Sequence, residues 1–328
     1  MKDMFEPSYI RLYQSGELQA RAEELENRLA SCDICPRKCH VDRTRGETGF
    51  CRSGYSASIA SYCDHHGEEP VLSGSKGSGA IFFTNCNLRC IFCQNYQISQ
   101  LADGHHCEID NHALANIMLY LQGELGCHNI NLVSPSHFAP QIVAALLHAV
   151  PLGLNIPLVY NTNAYDSMAT LRLLDGIIDI YLPDIKYASD EYADKYSKVS
   201  NYVAVSRQAI REMYRQVGLL VTDESGVAQR GLIVRHLILP NGIAGSAASL
   251  RWLSECVSRE TAISIMAQYY PSHLALHDPM LARKISREEY NEVVAIIEEL
   301  GMDNGWLQEL DSAAFYLPDF ESSGHPFE

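Results

Sequence analysis

The sequence predicts an α/β protein whose main part is a partial (β/α)6 barrel with a cysteine-rich N-terminal extension. From about residue 78, six short runs of apolar and β-branched residues alternate with helical stretches, which is typical of a parallel sheet covered on both faces. The repeating region is shorter than the roughly 250 residues of a full eight-unit barrel, which favours an open barrel.

The size and charge of the chain limit what the protein does. Its 328 residues suit one large domain with a small appendage, and the net charge of -15 disfavours a nucleic-acid partner, including an RNA substrate. Residues 1–30 do not resemble a signal peptide, and no apolar run approaches the roughly 20 residues of a membrane helix. We therefore expect a cytoplasmic protein that binds neither nucleic acid nor a membrane.

The predicted N-terminal extension covers residues 1–75. Residues 15–30 have helical periodicity, with leucines spaced among charged residues. The segment that follows, CDICPRKCHVDRTRGETGFC (32–51), is rich in proline, glycine and charge. We therefore expect a loop that something other than a hydrophobic core holds together.

The predicted barrel covers residues 76–272. The long connection at 187–231 is expected to form two helices. The six predicted strands are AIFFT (80–84), NINLVSP (129–135), PLVYNTN (157–163), IIDIYLPDIK (177–186), LIVRHLILP (232–240) and AISIMAQ (262–268).

Residues 273–328 are predicted to be a C-terminal helix and a tail that pack on the barrel. The helix begins with a capping box formed by Ser286 and Glu289, and it ends at Gly301. The tail has no regular pattern and is expected to be irregular.

Three cysteines, Cys86, Cys90 and Cys93, follow directly on the first predicted strand. In parallel α/β folds, active sites form on loops at the carboxyl ends of strands. Thiolates select iron–sulfur clusters, zinc or Cu(I), and a closed zinc site or a [4Fe–4S] cluster normally takes four protein ligands. Three ligands leave one metal position open for something that reacts. The alternative is a zinc knuckle with a distant fourth ligand.

A second set, Cys32, Cys35, Cys39 and Cys51, has the spacing C-x2-C-x3-C-x11-C. Four thiolates close either a zinc site or a second [4Fe–4S] cluster, and the metal would provide much of the folding free energy of this polar segment. Its role is open between a structural staple and electron delivery to the first site. The candidate substitutes for one ligand are Cys63, His40, His65 and His66.

The motif C-x3-C-x-aromatic-C, with Phe92 at the aromatic position, resembles that of the radical S-adenosylmethionine (SAM) superfamily. The surrounding CNLRCIFCQN (86–95) is most similar to the activating enzymes of glycyl-radical enzymes, typified by pyruvate formate-lyase activating enzyme. The chain resembles a branch of that group with an N-terminal C-x2-CPRKC…GExGFC segment, and the resemblance extends over roughly residues 32–270.

The resemblance implies that Cys86, Cys90 and Cys93 bind three irons of a [4Fe–4S] cluster and that SAM chelates the fourth. One electron from the cluster would cleave SAM to methionine and a 5′-deoxyadenosyl radical, which would abstract a hydrogen atom from the substrate. Because the hard chemistry belongs to the cofactors, no protein side chain is expected to be catalytic in its own right. The electron would come from a low-potential donor such as flavodoxin or ferredoxin.

The resemblance also implies SAM contacts at the ends of successive strands. Asp184 and Lys186 point to one face of a strand, where opposite charges suit an amino-acid zwitterion. Residues 162–164, TNA, lie where the activating enzymes have Thr-Asn-Gly. The chain departs from them at Asn85, which replaces the glycine often found before the first cysteine, and after the second strand, where they have a Gly-Gly-Glu-type segment. The expected cofactor-binding residues are Phe92, Ser134, Ser136, Thr162, Asn163, Asp184, Lys186 and His236.

Three functions remain open on the sequence. The first is a radical SAM enzyme that acts on a protein or peptide, in particular on a glycine α-hydrogen of a partner enzyme. The second is a radical SAM enzyme that acts on a small metabolite, and the third is a non-catalytic iron–sulfur or zinc binding module. The open coordination position argues against the third. RHLILPNG (235–242) lacks the Thr-Asp that commonly follows this proline in dedicated activating enzymes.

Overall fold

The computed structural model describes residues 5–101, 107–310, 318, 320 and 326–327. The strands are β1 (Ala57–His65), β2 (Ser78–Phe83), β3 (Cys107–Ile109), β4 (Ile130–Val133), β5 (Leu158–Thr162), β6 (Ile180–Pro183), β7 (Val221–Thr222), β8 (Ala228–Leu237), β9 (Ala262–Met266) and β10 (Gly305–Leu307). They form an open sheet in the order β10-β9-β8-β6-β5-β4-β2-β1-β3, and β7 pairs with β8 outside this path.

The six predicted strands correspond in chain order to β2, β4, β5, β6, β8 and β9. Each of these strands pairs in parallel with the next. The sheet is not closed, because β3 and β10 lie at its two ends in the described part of the chain. The prediction of an α/β fold with an open barrel sheet is therefore confirmed.

Helices occupy the connections between the strands. The helices are α1 (Ser8–Gln14), α2 (Glu17–Asn27), α3 (Pro70–Ser73), α4 (Tyr96–Ser99), α5 (Asn111–Gly123), α6 (Ala139–Ala149), α7 (Met168–Leu173), α8 (Asp190–Ser197), α9 (Tyr202–Val217), α10 (Ser246–Cys256) and α11 (Arg287–Leu300). The two helices predicted between residues 187 and 231 are α8 and α9. Within the described residues, no helix has both the length and the apolar character needed to span a bilayer.

The start and end of α11 follow the sequence prediction. The Ser286 side chain accepts a hydrogen bond from the Glu289 backbone N–H, and the Glu289 carboxylate accepts one from the Ser286 N–H at 2.8 Å. Gly301 ends the helix with a φ of 60°. Val293 and Ile297 are buried on the face toward the core.

Strands β1, β3 and β10 lie outside the six predicted runs and lengthen the sheet. Within the predicted extension, β1 pairs with β2 in antiparallel register. At the other end, β10 pairs in parallel with β9. Gly305 begins β10 with a φ of 140°, and a Cβ there would lie 1.9 Å from the Ile263 carbonyl oxygen. This close approach requires glycine.

Two aromatic residues of the tail contact the barrel. The rings of Phe320 and Phe327 lie 5.4 and 6.0 Å from the ring of Phe82 on β2. The other residues of the predicted tail, 311–317, 319, 321–325 and 328, lie outside the described residues.

Candidate active site

A cavity of about 720 Å³ lies inside the open barrel. It brings together most of the residues that the sequence singled out around the cysteine triplet. The predicted site residues that line it are Cys86, Cys90, Cys93, Phe92, Ser134, Thr162, Asn163, Asp184 and Lys186. They come from the loop after β2 and from the carboxyl ends of β4, β5 and β6, where parallel α/β folds place their sites.

The backbone of the loop after β2 turns sharply before the first cysteine. Asn85 has a φ of 67°, a left-handed conformation that asparagine tolerates better than most residues. Its N–H donates to the Ile98 carbonyl at 2.9 Å, which ties the start of the loop to α4. The Arg89 N–H donates to the Ser197 carbonyl at 3.0 Å, so the end of α8 supports the same loop.

Each thiol of the triplet has a polar neighbour. The Asn163 Nδ2 lies 3.4 Å from the Cys86 Sγ, and the Ser197 Oγ lies 3.0 Å from the Cys90 Sγ. The Ser99 hydroxyl lies 3.3 Å from the Cys93 Sγ. Such donors stabilise thiolates and tune the potential of a bound iron–sulfur cluster.

Burial keeps these thiols neutral when nothing is bound to them. It raises the pKa of Cys86 and of Cys90 to about 11, and it raises the pKa of Cys93 as well. A bound metal reverses this preference, because its positive charge favours the coordinating thiolate.

The triplet fits an iron–sulfur cluster. Among the described residues, no group of three or more His, Cys, Asp and Glu side chains is placed to hold a metal ion. In a [4Fe–4S] cluster, each thiolate binds a different iron, so its ligands line one cavity without meeting at one point. Cys86, Cys90 and Cys93 have that arrangement along the cavity wall.

The chain that follows β6 carries an ion pair. The Lys186 Nζ lies 2.6 Å from an Asp184 carboxylate oxygen, and both side chains are mostly buried. Burial alone would lower the pKa of Lys186, but the surrounding groups, Asp184 foremost, together outweigh burial and raise it. The Tyr202 hydroxyl lies within 3.0 Å of the carbonyl oxygens of Asn163 and Asp184, which fixes the two strand ends together.

Two predicted contacts do not line this cavity. The Ser136 hydroxyl lies 3.1 Å from the Thr162 hydroxyl in a buried group. His236 is fully buried and bonded to the Ile185 carbonyl and the Ser246 hydroxyl, each at 2.8 Å, and burial lowers its pKa to about 4. Side chains alternate along β8, so His236 points to the α10 side while its neighbour Arg235 points into the cavity.

Three charged cavity residues were not among the predicted site residues. Arg235 makes a bidentate ion pair with Glu69, at 2.7 Å from Nε and 2.6 Å from Nη2, and it also contacts Glu68. Burial alone would raise the pKa of Glu69, but Arg235 outweighs it and lowers this pKa. The two glutamates form the acidic pair in HHGEEP (65–70), which could have marked them as site residues. The sequence alone suggests a solvated loop there, because burial is not visible in it.

The four N-terminal cysteines line a separate, small cavity of about 10 Å³. It has room for about one water molecule. All eleven cysteines of the chain lie within the described residues and are free thiols. The candidate substitutes Cys63, His40, His65 and His66 are not among the residues that line this cavity.

No family model matches the chain. An uncharacterized protein of Methanocaldococcus jannaschii, MJ0674, is 29% identical to it over 309 residues. The alignment covers 92% of this chain and 84% of that protein. The likeness therefore extends over nearly the whole chain, but the relative's name carries no activity.

Three solved structures are similar to part of this chain. Methylornithine synthase has a TM-score of 0.42 and 14% identity, covering 65% of this chain and 59% of that one. HydG, a maturase of the [FeFe]-hydrogenase, has a TM-score of 0.47 and 12% identity, with 69% and 50% covered. TYW1 with a lysine-pyruvate adduct bound has a TM-score of 0.40 and 9% identity, with 71% and 78% covered. At such TM-scores the likeness carries no argument about the reaction.

Proposed function

We propose that this chain is a radical SAM enzyme, in which Cys86, Cys90 and Cys93 hold a [4Fe–4S] cluster and SAM binds beside it. The observation that carries the proposal is that the three thiols line the same cavity as the Asp184–Lys186 ion pair. When bound, the cluster and SAM supply a 5′-deoxyadenosyl radical, generated by one-electron reduction, that takes a hydrogen atom from the substrate.

The ion pair suits the amino-acid end of SAM. Asp184 would bind its ammonium group and Lys186 its carboxylate, so both buried side chains would keep a partner of opposite charge. Asn163 lines the same cavity as the pair and donates to the sulfur of the proposed cluster ligand Cys86. Its position would fix the distance between SAM and the cluster.

Aromatic residues shield the site from water. Phe92 is 5% exposed and packs edge-on against Tyr187 and Tyr269, with ring centroids 6.4 and 6.1 Å away. This apolar wall lies next to Cys93 and would exclude water from the reacting atoms.

The substrate we propose is a protein or peptide, with a glycine α-hydrogen as the first candidate. Gln94, Gln268 and Gln308 form a hydrogen-bonded row in the cavity wall, and amide groups pair well with a peptide backbone. Strand β10 ends the sheet among the described strands, and its exposed Leu307 lines the cavity. An extended peptide could add to this edge as a further strand.

A small metabolite is the second candidate substrate. The observation that favours it is the size of the cavity, because 720 Å³ falls within the roughly 300–1,000 Å³ range of small-molecule sites. Its polar lining would orient such a molecule.

The first test is SAM cleavage. The protein is reconstituted anaerobically with iron and sulfide, given dithionite and SAM, and 5′-deoxyadenosine is measured by chromatography. We expect the product from wild type and from the control Cys256→Ala, whose cysteine is exposed. A Cys86→Ala/Cys90→Ala/Cys93→Ala variant should make none. If the wild-type protein carries the cluster but makes no 5′-deoxyadenosine, the non-catalytic binding module becomes the favoured hypothesis.

The second test separates the two substrates. Deuterium-labelled cell extract is divided by size, and each fraction is added to the reaction. Deuterium in 5′-deoxyadenosine from the macromolecular fraction would support a protein or peptide. Deuterium from the low-mass fraction alone would support a metabolite.

A further inference from the structure

The cysteine-rich segment, residues 32–51, contains little regular secondary structure. Between residues 32 and 51, the described elements comprise one short 3-10 turn, Arg43–Arg45. Yet Cys32, Cys35 and Cys51 are each at most 9% exposed. The thiol of Cys35 lies within electrostatic range of the other three cysteines, so the four thiols face one another across the small cavity.

The backbone beside these cysteines is strained. Lys38, His40 and Arg52 are non-glycine residues with left-handed φ angles of 42°, 55° and 61°. Each such residue costs about 1–2 kcal/mol. They flank Cys39 on both sides and follow Cys51, so the bends turn these two thiols toward the cavity.

The packing around Cys39 is also tight. A Cβ on Gly49 would lie 2.7 Å from both the Cβ and the Sγ of Cys39. The Phe50 N–H donates to the Cys39 sulfur at 3.4 Å. A polar, strained segment whose four free thiols line one small cavity needs a bound centre to offset its cost.

This segment also contacts the triplet loop directly. The Arg89 Nη2 donates to the Phe50 carbonyl oxygen at 2.8 Å. Phe50 is next to Cys51 and Arg89 is next to Cys90, so this hydrogen bond joins the chain neighbours of one cysteine from each set.

A second contact runs parallel to the first. The Arg37 Nε donates to the carbonyl oxygen of Asn87, the neighbour of Cys86, at 3.0 Å. The guanidinium carbons of Arg37 and Arg89 lie 3.6 and 5.2 Å from the centre of the Phe50 ring. Two cations between the sites would stabilise the negative charge that a thiolate-bound cluster gains on reduction.

We infer that Cys32, Cys35, Cys39 and Cys51 hold a second [4Fe–4S] cluster and that the Phe50–Arg89 contact carries electrons from it to the triplet. This inference rests on the proposed function. One electron would leave a reduced, low-potential ferredoxin or flavodoxin, pass through the second site, and be consumed at the first in SAM cleavage. No bond and no proton changes at the second site, which has all four ligands from the chain.

The metal content of the wild-type protein is the first test. We expect about eight irons and eight sulfides per chain after reconstitution, and about four in a Cys32→Ala/Cys35→Ala/Cys39→Ala/Cys51→Ala variant. About four irons and one zinc in wild type would overturn the inference and leave the proposed function standing. Because this readout uses wild type, it holds even if the variant does not fold.

Electron paramagnetic resonance tests the contact between the sites. In the fully reduced wild type, we expect magnetic coupling, so its spectrum should differ from the sum of the spectra of the four-cysteine and triplet variants. A spectrum equal to that sum would overturn the relay. Failure of the proposed function would be seen separately, as loaded clusters without 5′-deoxyadenosine.

The residue-level test is Arg89→Met. Iron content should stay at the wild-type value, while electrons from reduced ferredoxin should reach the triplet cluster severalfold more slowly in freeze-quench spectra. The control is Arg45→Met in the same segment, because the Arg45 side chain is 84% exposed. Equal rates in wild type and Arg89→Met would overturn the role of this contact.

Discussion

The Lys186 ammonium lies 2.6 Å from the Asp184 carboxylate in the wall that also carries the cysteine triplet. The two residues are separated by one position on the chain, so the alternation of an extended chain places both side chains on the same face. The sequence predicted this shared face. It did not predict that the two charged groups form an ion pair with each other, which the structure shows.

Replacing Lys186 with methionine should weaken SAM binding. The loss of one charge-assisted contact to the SAM carboxylate should raise its dissociation constant by about tenfold, equivalent to about 1.4 kcal/mol. Equilibrium dialysis of labelled SAM against the iron-loaded protein measures this. The control is Lys76→Met, because Lys76 is exposed and outside the cavity. Unchanged affinity in Lys186→Met would contradict the assigned contact.

Arg235→Met should destabilise the fold strongly. It would leave the carboxylates of Glu68 and Glu69, which are 7% and 4% exposed, without their cation. Breaking a buried pair in this way costs about 3–5 kcal/mol, which urea unfolding would detect as a lower midpoint.

The control for that change is the exposed ion pair between Arg251 and Glu299. Their side chains are 47% and 58% exposed, so Arg251→Met should cost less than about 1 kcal/mol. Similar urea midpoints for the two variants would contradict the expectation that breaking the buried Arg235 pair costs more stability than breaking the exposed pair.

The Glu289 carboxylate should make stability depend on pH. The hydrogen bond from Arg283 lowers its pKa from 4.5 to about 2. Between these two values the unfolded chain binds more protons than the folded one, so acidification through this window removes stability. Because this pair is partly exposed, Glu289→Gln should cost about 1 kcal/mol at neutral pH, falling toward zero near pH 2. Denaturant unfolding across this range measures the difference, and a constant difference would contradict this account.

The sequence predicted the six central strands because buried parallel strands are continuous apolar runs. It missed β1, β3, β7 and β10, and the reasons for β1 and β10 differ. Strand β1 contains polar residues among apolar ones and was included in the extension. Strand β10 has three residues and depends on the close approach of Gly305 to Ile263, which no local pattern encodes.

The site shows the same division between local and tertiary information. The triplet was found from its spacing, but the side on which His236 lies depends on the register of β8. Ala164 has a φ of 62°, a left-handed conformation that glycine adopts at lower cost and that the sequence did not reveal. The buried charges of Glu69 and Arg235 meet across more than 160 residues of chain, a contact that one sequence does not reveal.

The last prediction concerns the amide of Asn163, which lies 3.4 Å from the Cys86 sulfur. A donor to a ligating sulfur stabilises the reduced cluster, so its removal makes the cluster harder to reduce. The same amide also donates to Asn87 at 2.8 Å. Its removal should therefore cost the reduced cluster the free energy of one shared hydrogen bond. Asn163→Ala should therefore make reduction of the cluster less favourable by about 1 kcal/mol, which lowers its reduction potential by roughly 40 mV for one electron.

A redox titration followed by electron paramagnetic resonance measures this potential without requiring turnover. The matched control is Asn304→Ala, because the Asn304 amide donates to the Glu260 carbonyl on the exposed surface, away from the cavity. Its potential should equal that of wild type. An unchanged potential in Asn163→Ala would mean that this amide does not act on the cluster, and Asn163 would then serve only to position SAM.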